Sequence, residues 1–312
     1  MNEDAVRRVT GSTGDVLGTL VSMRGADLAT LLLEVARRRA EALDPADVAR
    51  RYRSDRFVHP AQVDAHSLRD AQRLLSGSLP DGFEEVTLSP LVPFGTHRIA
   101  GVAQSRVVST VRGTEVAADP TNGLALEAAM RRQELIRQQP RSTQRVSMAA
   151  SQRVVRAQTF EGDASFAHFE LFGLITAGRD TGNLIFEREA IVEHVRFATD
   201  VLHTATGLAV ILEITDLTGG GMAALVEAVR EAVVNEPAVE VRDRPTREGG
   251  RNYYDRFCFK VFASIEDEPF EVADGGLVDW TQRLVASRKE RLMISAVGVE
   301  RLAMLRAHNR AW

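Results

Sequence analysis

Apolar residues recur every three or four positions through the first part of the chain and later give way to alternation or short continuous runs, which separates helices from strands. Leu17, Leu20, Val21, Leu28, Leu31, Leu32 and Val35 form the stripe of an amphipathic helix over 17–43, ended by Asp44-Pro45. A second helix is predicted over about 61–79 from Val63, Leu68, Ala71, Leu74 and Leu75. Gly77, Pro80 and Gly82 break it before the alternating Phe83-Glu84-Glu85-Val86-Thr87-Leu88, which reads as a strand. Residues 106–119 read as two short strands about a turn at Arg112-Gly113, and Asp119-Pro120-Thr121 opens a helix over about 122–138. Segments 152–159 and 166–177 pair as a hairpin with Glu161-Gly162-Asp163 in its tip.

Between 187 and 248 come a helix (Ile191, Val195, Ala198, Val201, Leu202), an apolar strand over 209–214, Gly219-Gly220-Gly221 and a helix over about 222–234, expected as a small inserted α/β unit. Strands at 253–263 and 271–273, a helix at 278–290, a strand at 292–298 and a helix at 299–311 complete the pattern. Antiparallel hairpins interrupted by helices point to an α+β fold with one large antiparallel sheet flanked by helices. Residues 1–64 are expected as a helical extension and 65–312 as the core.

With 44% hydrophobic and 26% charged residues and a net charge of −4, the 312 residues have the composition of a globular protein. The single cysteine, Cys258, can form neither an intrachain disulfide nor a cysteine-built zinc site. Histidines 59, 66, 97, 168, 194, 203 and 308 include no i, i+4 pair with a glutamate, so no protein-built metal site is expected. A G-x-S-x-G elbow is lacking, and the Gly219 triplet lacks the Lys-Ser/Thr of a phosphate loop, so it reads as a flexible turn. Asp4, Asp15 and Asp27 interrupt the N-terminus where a secretory signal would need an apolar run, and no apolar stretch approaches the roughly 20 residues of a membrane span. A cytoplasmic location is expected. Lys260 and Lys289 are the only lysines; genome composition explains this arginine bias as readily as selection for phosphate binding.

Three spaced segments carry a sharper signal. Val86-Thr87-Leu88-Ser89-Pro90-Leu91-Val92-Pro93-Phe94-Gly95 is a strand entering a proline after a helix. Val155-Arg156-Ala157-Gln158 is followed, after a loop, by Phe169-Glu170-Leu171-Phe172-Gly173. Ile294-Ser295-Ala296-Val297-Gly298-Val299-Glu300-Arg301-Leu302 is a strand running through glycine into a helix. These resemble motifs 1, 2 and 3 of the class II aminoacyl-tRNA synthetases, and most of all the catalytic core of histidyl-tRNA synthetase and its paralogue, the ATP phosphoribosyltransferase regulatory subunit. Arg251-Asn252-Tyr253-Tyr254-Asp255-Arg256 resembles the RGLDYY-type strand of that group, and Gly275-Gly276-Leu277-Val278-Asp279 its GGRYD turn. The likeness runs from about residue 65 to 307.

The resemblance implies amino-acid activation, in which a carboxylate attacks the α-phosphate of ATP and the site must gather two anions. Guanidinium groups suit this because they stay charged and pair two oxygens at once. It assigns Arg156 and Arg301 to catalysis and, with Gln158 and Phe169, to ATP, whose phosphates would carry Mg²⁺. Thr121, Leu171, Ile175, Tyr253, Tyr254, Arg251 and Val278 fall in the substrate pocket. Several departures count against histidine as substrate. Thr121 replaces the glutamate of the RPE element, Leu171 and Ile175 replace a glutamine and a glutamate, Val278 replaces a tyrosine, and Gly249 stands where the catalytic arginine falls, with Arg251 nearby.

The resemblance implies a homodimer, since motif 1 is the dimer element; the anticodon-binding domain of histidyl enzymes is not expected, and ordinary tRNA charging is disfavoured. Two functions follow: an enzyme that adenylates an amino acid or other small carboxylate for a non-standard acceptor, or a non-catalytic paralogue that binds a small ligand or a partner subunit.

Overall fold

Aspartates placed directly before helical stretches set where several helices begin. Asp44 accepts from the Asp47 amide at 2.8 Å, Asp64 from the His66 amide at 2.9 Å, and Asp119 from the Thr121 amide at 2.9 Å, each satisfying N–H groups that a helix leaves unpaired. The computed structural model of the chain describes residues 3–157, 166–247, 253–265 and 268–310. First come α1 (Glu3–Thr13), α2 (Val16–Ser22), α3 (Gly25–Glu41) and α4 (Pro45–Ser54). The single helix expected over 17–43 is two, because Met23 turns extended (ψ 149°) between α2 and α3. No residue of α2, α3 or α4 is buried.

Then follow α5 (Ala65–Gly77), β1 (Glu84–Glu85), β2 (Leu91–Pro93), α6 (Thr96–Ile99), β3 (Thr114–Val116), α7 (Pro120–Gln138), β4 (Val146–Val155) and β5 (His168–Arg179). The second half holds α8 (Ile185–Thr206), β6 (Val210–Asp216), α9 (Ala223–Val233), β7 (Val239–Asp243), β8 (Phe257–Ile265), β9 (Glu268–Val278), α10 (Trp280–Val285), β10 (Glu290–Gly298) and α11 (Val299–Arg310). Eight strands among the described residues form one sheet in the order β1-β4-β5-β10-β9-β8-β6-β7. Pairing is antiparallel except at the two edges, β1 with β4 and β6 with β7. Residues 187–248 supply β6 and β7 to the far edge of this same sheet.

Several elements differ from the sequence reading. The strand expected over 83–88 reduces to β1, and the arm expected before the Arg112-Gly113 turn makes only a bridge from Ser109 to Glu115, while β3 pairs with β2. The helix expected over 278–290 shrinks to α10, because β9 continues through Val278 and Ala286 turns left-handed (φ 53°). For the same reason Gly275 and Gly276 lie within a strand rather than in a turn.

Alternation along the strands sends Phe172, Leu174, Phe259, Val261 and Met293 to one face, packed under α5, α8, α9 and α11. Ile175, Cys258, Val278 and Ile294 lie on the other face, against α7 and α10. Two polar fastenings cross these layers. Arg132 on α7 and Glu290 on β10, both fully buried, form a two-bond ion pair at 2.8 and 3.1 Å. His194 on α8, also fully buried, sits with Nδ1 2.8 Å from Ser295 Oγ on β10 and Nε2 3.1 Å from Thr176 Oγ1 on β5. Burial pushes its pKa down to about 3, with the Arg145 charge adding to the effect.

Candidate functional site

On the α7 side of the sheet one end of β5 is covered, with Ile175 and Ala177 buried, while Phe169 and Leu171 at the other end are half-buried. Alternation from Ile175 and Ile294 places Phe169 and Leu171 of β5 on this face, together with Ala296 and Gly298 of β10; Leu171 and Gly298 are directly paired. These residues form a low floor, with one of the motif arginines on each side.

Arg156 leaves the sheet just past β4. Its Nε donates to the Ala118 carbonyl at 2.9 Å, an Nη lies 3.2 Å from Asp119 Oδ2, and the guanidinium stands 5.1 Å over the Phe169 ring. Asp119 therefore does two things, because its other oxygen caps α7 through the Thr121 amide and takes the Thr121 hydroxyl at 2.6 Å. Thr121 is buried and its hydroxyl is committed to that bond.

Arg301 lies in the first turn of α11. Its side chain runs beside Gly298, where a Cβ would sit 3.4 Å from Arg301 Cδ, in ordinary van der Waals contact. Its Nη1 donates to the Glu271 carbonyl at 2.8 Å and is 3.7 Å from the Glu271 carboxylate. The preceding residue aims it. Glu300 is buried, accepts from the Glu170 amide at 2.8 Å and meets Arg153 at 3.0 Å, which fixes the start of α11 against β4 and β5. Arg156 and Arg301 keep 32% and 37% of their side-chain surface, so solvent reaches both. Arg156 follows β4 and Arg301 follows β10, and β5 lies between those two strands in the sheet.

The remaining pocket residues divide. Leu171 is on the floor, but Ile175 and Val278 belong to the packed core under α7 and α10. Tyr253 and Tyr254 precede β8 instead of alternating within it, with rings edge to face at 5.1 Å, and Tyr253 meets Trp280 in the same way at 5.2 Å. Tyr254 lies over Gly276, where a Cβ would come within 2.6 Å of its ring. Burial raises the pKa of both phenols, and nearby acids, Asp119 for Tyr253 and Asp274 for Tyr254, add to the rise. Gln158, Gly249 and Arg251 lie outside the described residues.

Sequence reasoning missed several groups here. Arg247 meets Asp274 at 2.7 Å and stacks 5.2 Å from the Tyr254 ring. Burial lifts the Asp274 carboxyl above the usual range, opposed by Arg247, and also raises the Cys258 thiol. Lys260 and Glu271 form a further ion pair on this face. The sequence marks this pair only in that Lys260 is one of two lysines. The Gly219 turn already holds an anion of its own: Asp216 accepts from the amides of Thr218 at 2.8 Å, Gly220 at 3.0 Å and Met222 at 2.8 Å. Among the described residues, no cluster of three His, Cys, Asp or Glu could hold a metal, and no helix is long and apolar enough to cross a membrane.

Neither a protein-family model nor a curated protein matches the chain. Its backbone does match solved structures. The apo histidyl-tRNA synthetase of S. aureus superposes with a TM-score of 0.56 at 13% identity, covering 79% of this chain and 66% of that one. A protein of Bacillus halodurans described as an ATP phosphoribosyltransferase regulatory subunit/histidyl-tRNA synthetase gives 0.58 at 13% identity, covering 77% and 79%. A histidine–tRNA ligase subunit of Alicyclobacillus acidocaldarius gives 0.55 at 14% identity, covering 81% and 96%. At these identities the likeness is one of fold, and the fold is that of the class II synthetase-like proteins.

Proposed function

We propose that this chain, with its class II synthetase-like fold, binds ATP with Mg²⁺ between Arg156 and Arg301 and uses it to adenylate an amino acid or other small carboxylate. The observation that carries the reading is the placement of two solvent-reachable guanidinium groups on one sheet face, flanking a floor of Phe169, Leu171 and Gly298. Each donates to a backbone carbonyl, Arg156 to that of Ala118 and Arg301 to that of Glu271. In this reading Phe169 receives the adenine ring when Arg156 moves to phosphate, and Gln158 accepts from the adenine amino group. The carboxylate substrate is small or apolar, because Thr121 offers no charge and Tyr254 covers Gly276. The acceptor is not a standard tRNA, the protein acts as a homodimer, and its place is the cytoplasm.

A second reading is favoured by one specific feature. Both arginines have a carboxylate partner, and the space over Gly276 holds a tyrosine ring, as suits a non-catalytic ligand-binding paralogue that serves a partner subunit. Pyrophosphate exchange separates the two. Substrate-dependent entry of label into ATP across an amino-acid panel is the expected result, with Arg301→Ala abolishing ATP binding. No exchange with any member, and no ATP binding by calorimetry, gives the regulator. Arg301→Ala then changes stability alone.

A further inference from the structure

Lys260 occupies the β8 position paired with Asp274 on β9 and lies on the same sheet face as the arginine pair. Its Nζ donates to Glu271 Oε2, while Glu271 Oε1 lies 3.7 Å from Arg301. Glu271 reaches this face through a local irregularity. Val261 pairs with Ala273 but Phe262 pairs with Glu271, so Val272 is an extra residue in β9. With regular pairing Glu271 would share the face of Ala273, against the helices. The bulge turns it over, and re-aiming a side chain is a common use of a bulge beside a site. Glu213, which pairs with Lys260 from β6, is itself held by Arg244 at 2.7 Å. Two cations thus converge on one carboxylate beyond Gly298, and all three keep between 22% and 37% of their side-chain surface.

We propose that Lys260 and Arg301 form the seat for the terminal phosphates of the nucleotide, and that Glu271 is a built-in carboxylate that fills the seat until phosphate displaces it. This rests on the reading that the site takes a nucleoside triphosphate. A terminal phosphate presents more charge and more acceptor oxygens than a single carboxylate, so it takes over both cations. Arg301 stays aimed after the exchange because it also donates to the Glu271 carbonyl. The displaced carboxylate remains beside the phosphates and repels them, so Glu271 lowers affinity. A purely structural ion network predicts the opposite sign, since loosening it would misplace Arg301.

Calorimetric titration of the full chain with Mg-ATP and with AMP tests this on the wild type, Glu271→Gln and Lys260→Met. The expected outcome is Mg-ATP binding about threefold to tenfold tighter in Glu271→Gln and about tenfold weaker in Lys260→Met, with AMP changed by less than about twofold in both. Weaker Mg-ATP binding by Glu271→Gln, an unchanged Mg-ATP affinity in Lys260→Met, or an equal loss for AMP overturns the phosphate seat. No binding of Mg-ATP to the wild type overturns the nucleotide reading, and the seat with it. Should Lys260→Met fail to fold, the sign of the Glu271→Gln change decides.

Discussion

His194 makes the sheet beneath the site acid-sensitive, by an amount that follows from its burial. In the unfolded chain it takes up a proton near pH 6.5; in the native protein it resists until about 3. Between those values the unfolded state binds more protons than the native state, so stability rises with pH across the window. The contribution is complete above pH 6.5 and is lost as pH falls toward 3. Each pH unit is worth about 1.4 kcal/mol, so His194 removes about 2 kcal/mol by pH 5 and roughly 5 kcal/mol in all. The protonated ring must also break one of its bonds to Thr176 or Ser295, or reverse a hydroxyl, and those bonds join α8 to β5 and β10. Urea unfolding of the wild type and His194→Gln at about pH 7 and about pH 5 measures the effect, since carboxylates that also titrate cancel in the comparison. At the higher pH the variant should be less stable by about 1–3 kcal/mol, the cost of partners left unpaired. At the lower pH that gap should shrink by about 2 kcal/mol or reverse. A gap that stays constant between the two conditions would refute the reasoning.

The buried Arg132–Glu290 pair predicts that Arg132→Met alone costs about 3–5 kcal/mol in chemical unfolding, because Glu290 is left charged and dry, whereas Arg132→Met with Glu290→Met restores most of the loss. At the start of α7, Asp119→Ala should lower stability by about 1 kcal/mol through loss of the cap, while Asp119→Asn stays within about 0.5 kcal/mol of the wild type, as thermal unfolding would show. If the two variants behave alike, Asp119 matters for its charge toward Arg156 rather than for its cap.

Much of the fold was legible because its signals are local. Asp64 and Asp119 announce helix starts wherever they fall before an apolar stripe, and the alternation of β5 and β10 follows from neighbouring residues alone. Arg156 and Arg301 were singled out by the resemblance of their segments to a known family, and the fold sets one just past a strand and the other at a helix start. Where the chain order misled, a distant partner had decided the matter. The helix expected at 278–290 lost its first residues to β9, which is held open through Val278 by pairing with β10. Ile175 and Val278, read as pocket residues, sit in the core because α7 and α10 cover that end of the face.

From its sequence this chain determined that it builds an antiparallel sheet with helices around it, because periodicity is a property of short segments. Which charges meet was decided only in three dimensions. Asp119 reaches Arg156 across 37 residues, Arg301 reaches Glu271 across 30, and a single unpaired residue, Val272, determines the face on which Glu271 emerges. Strand register decides these encounters, and register is set by packing across the whole sheet rather than by any one segment.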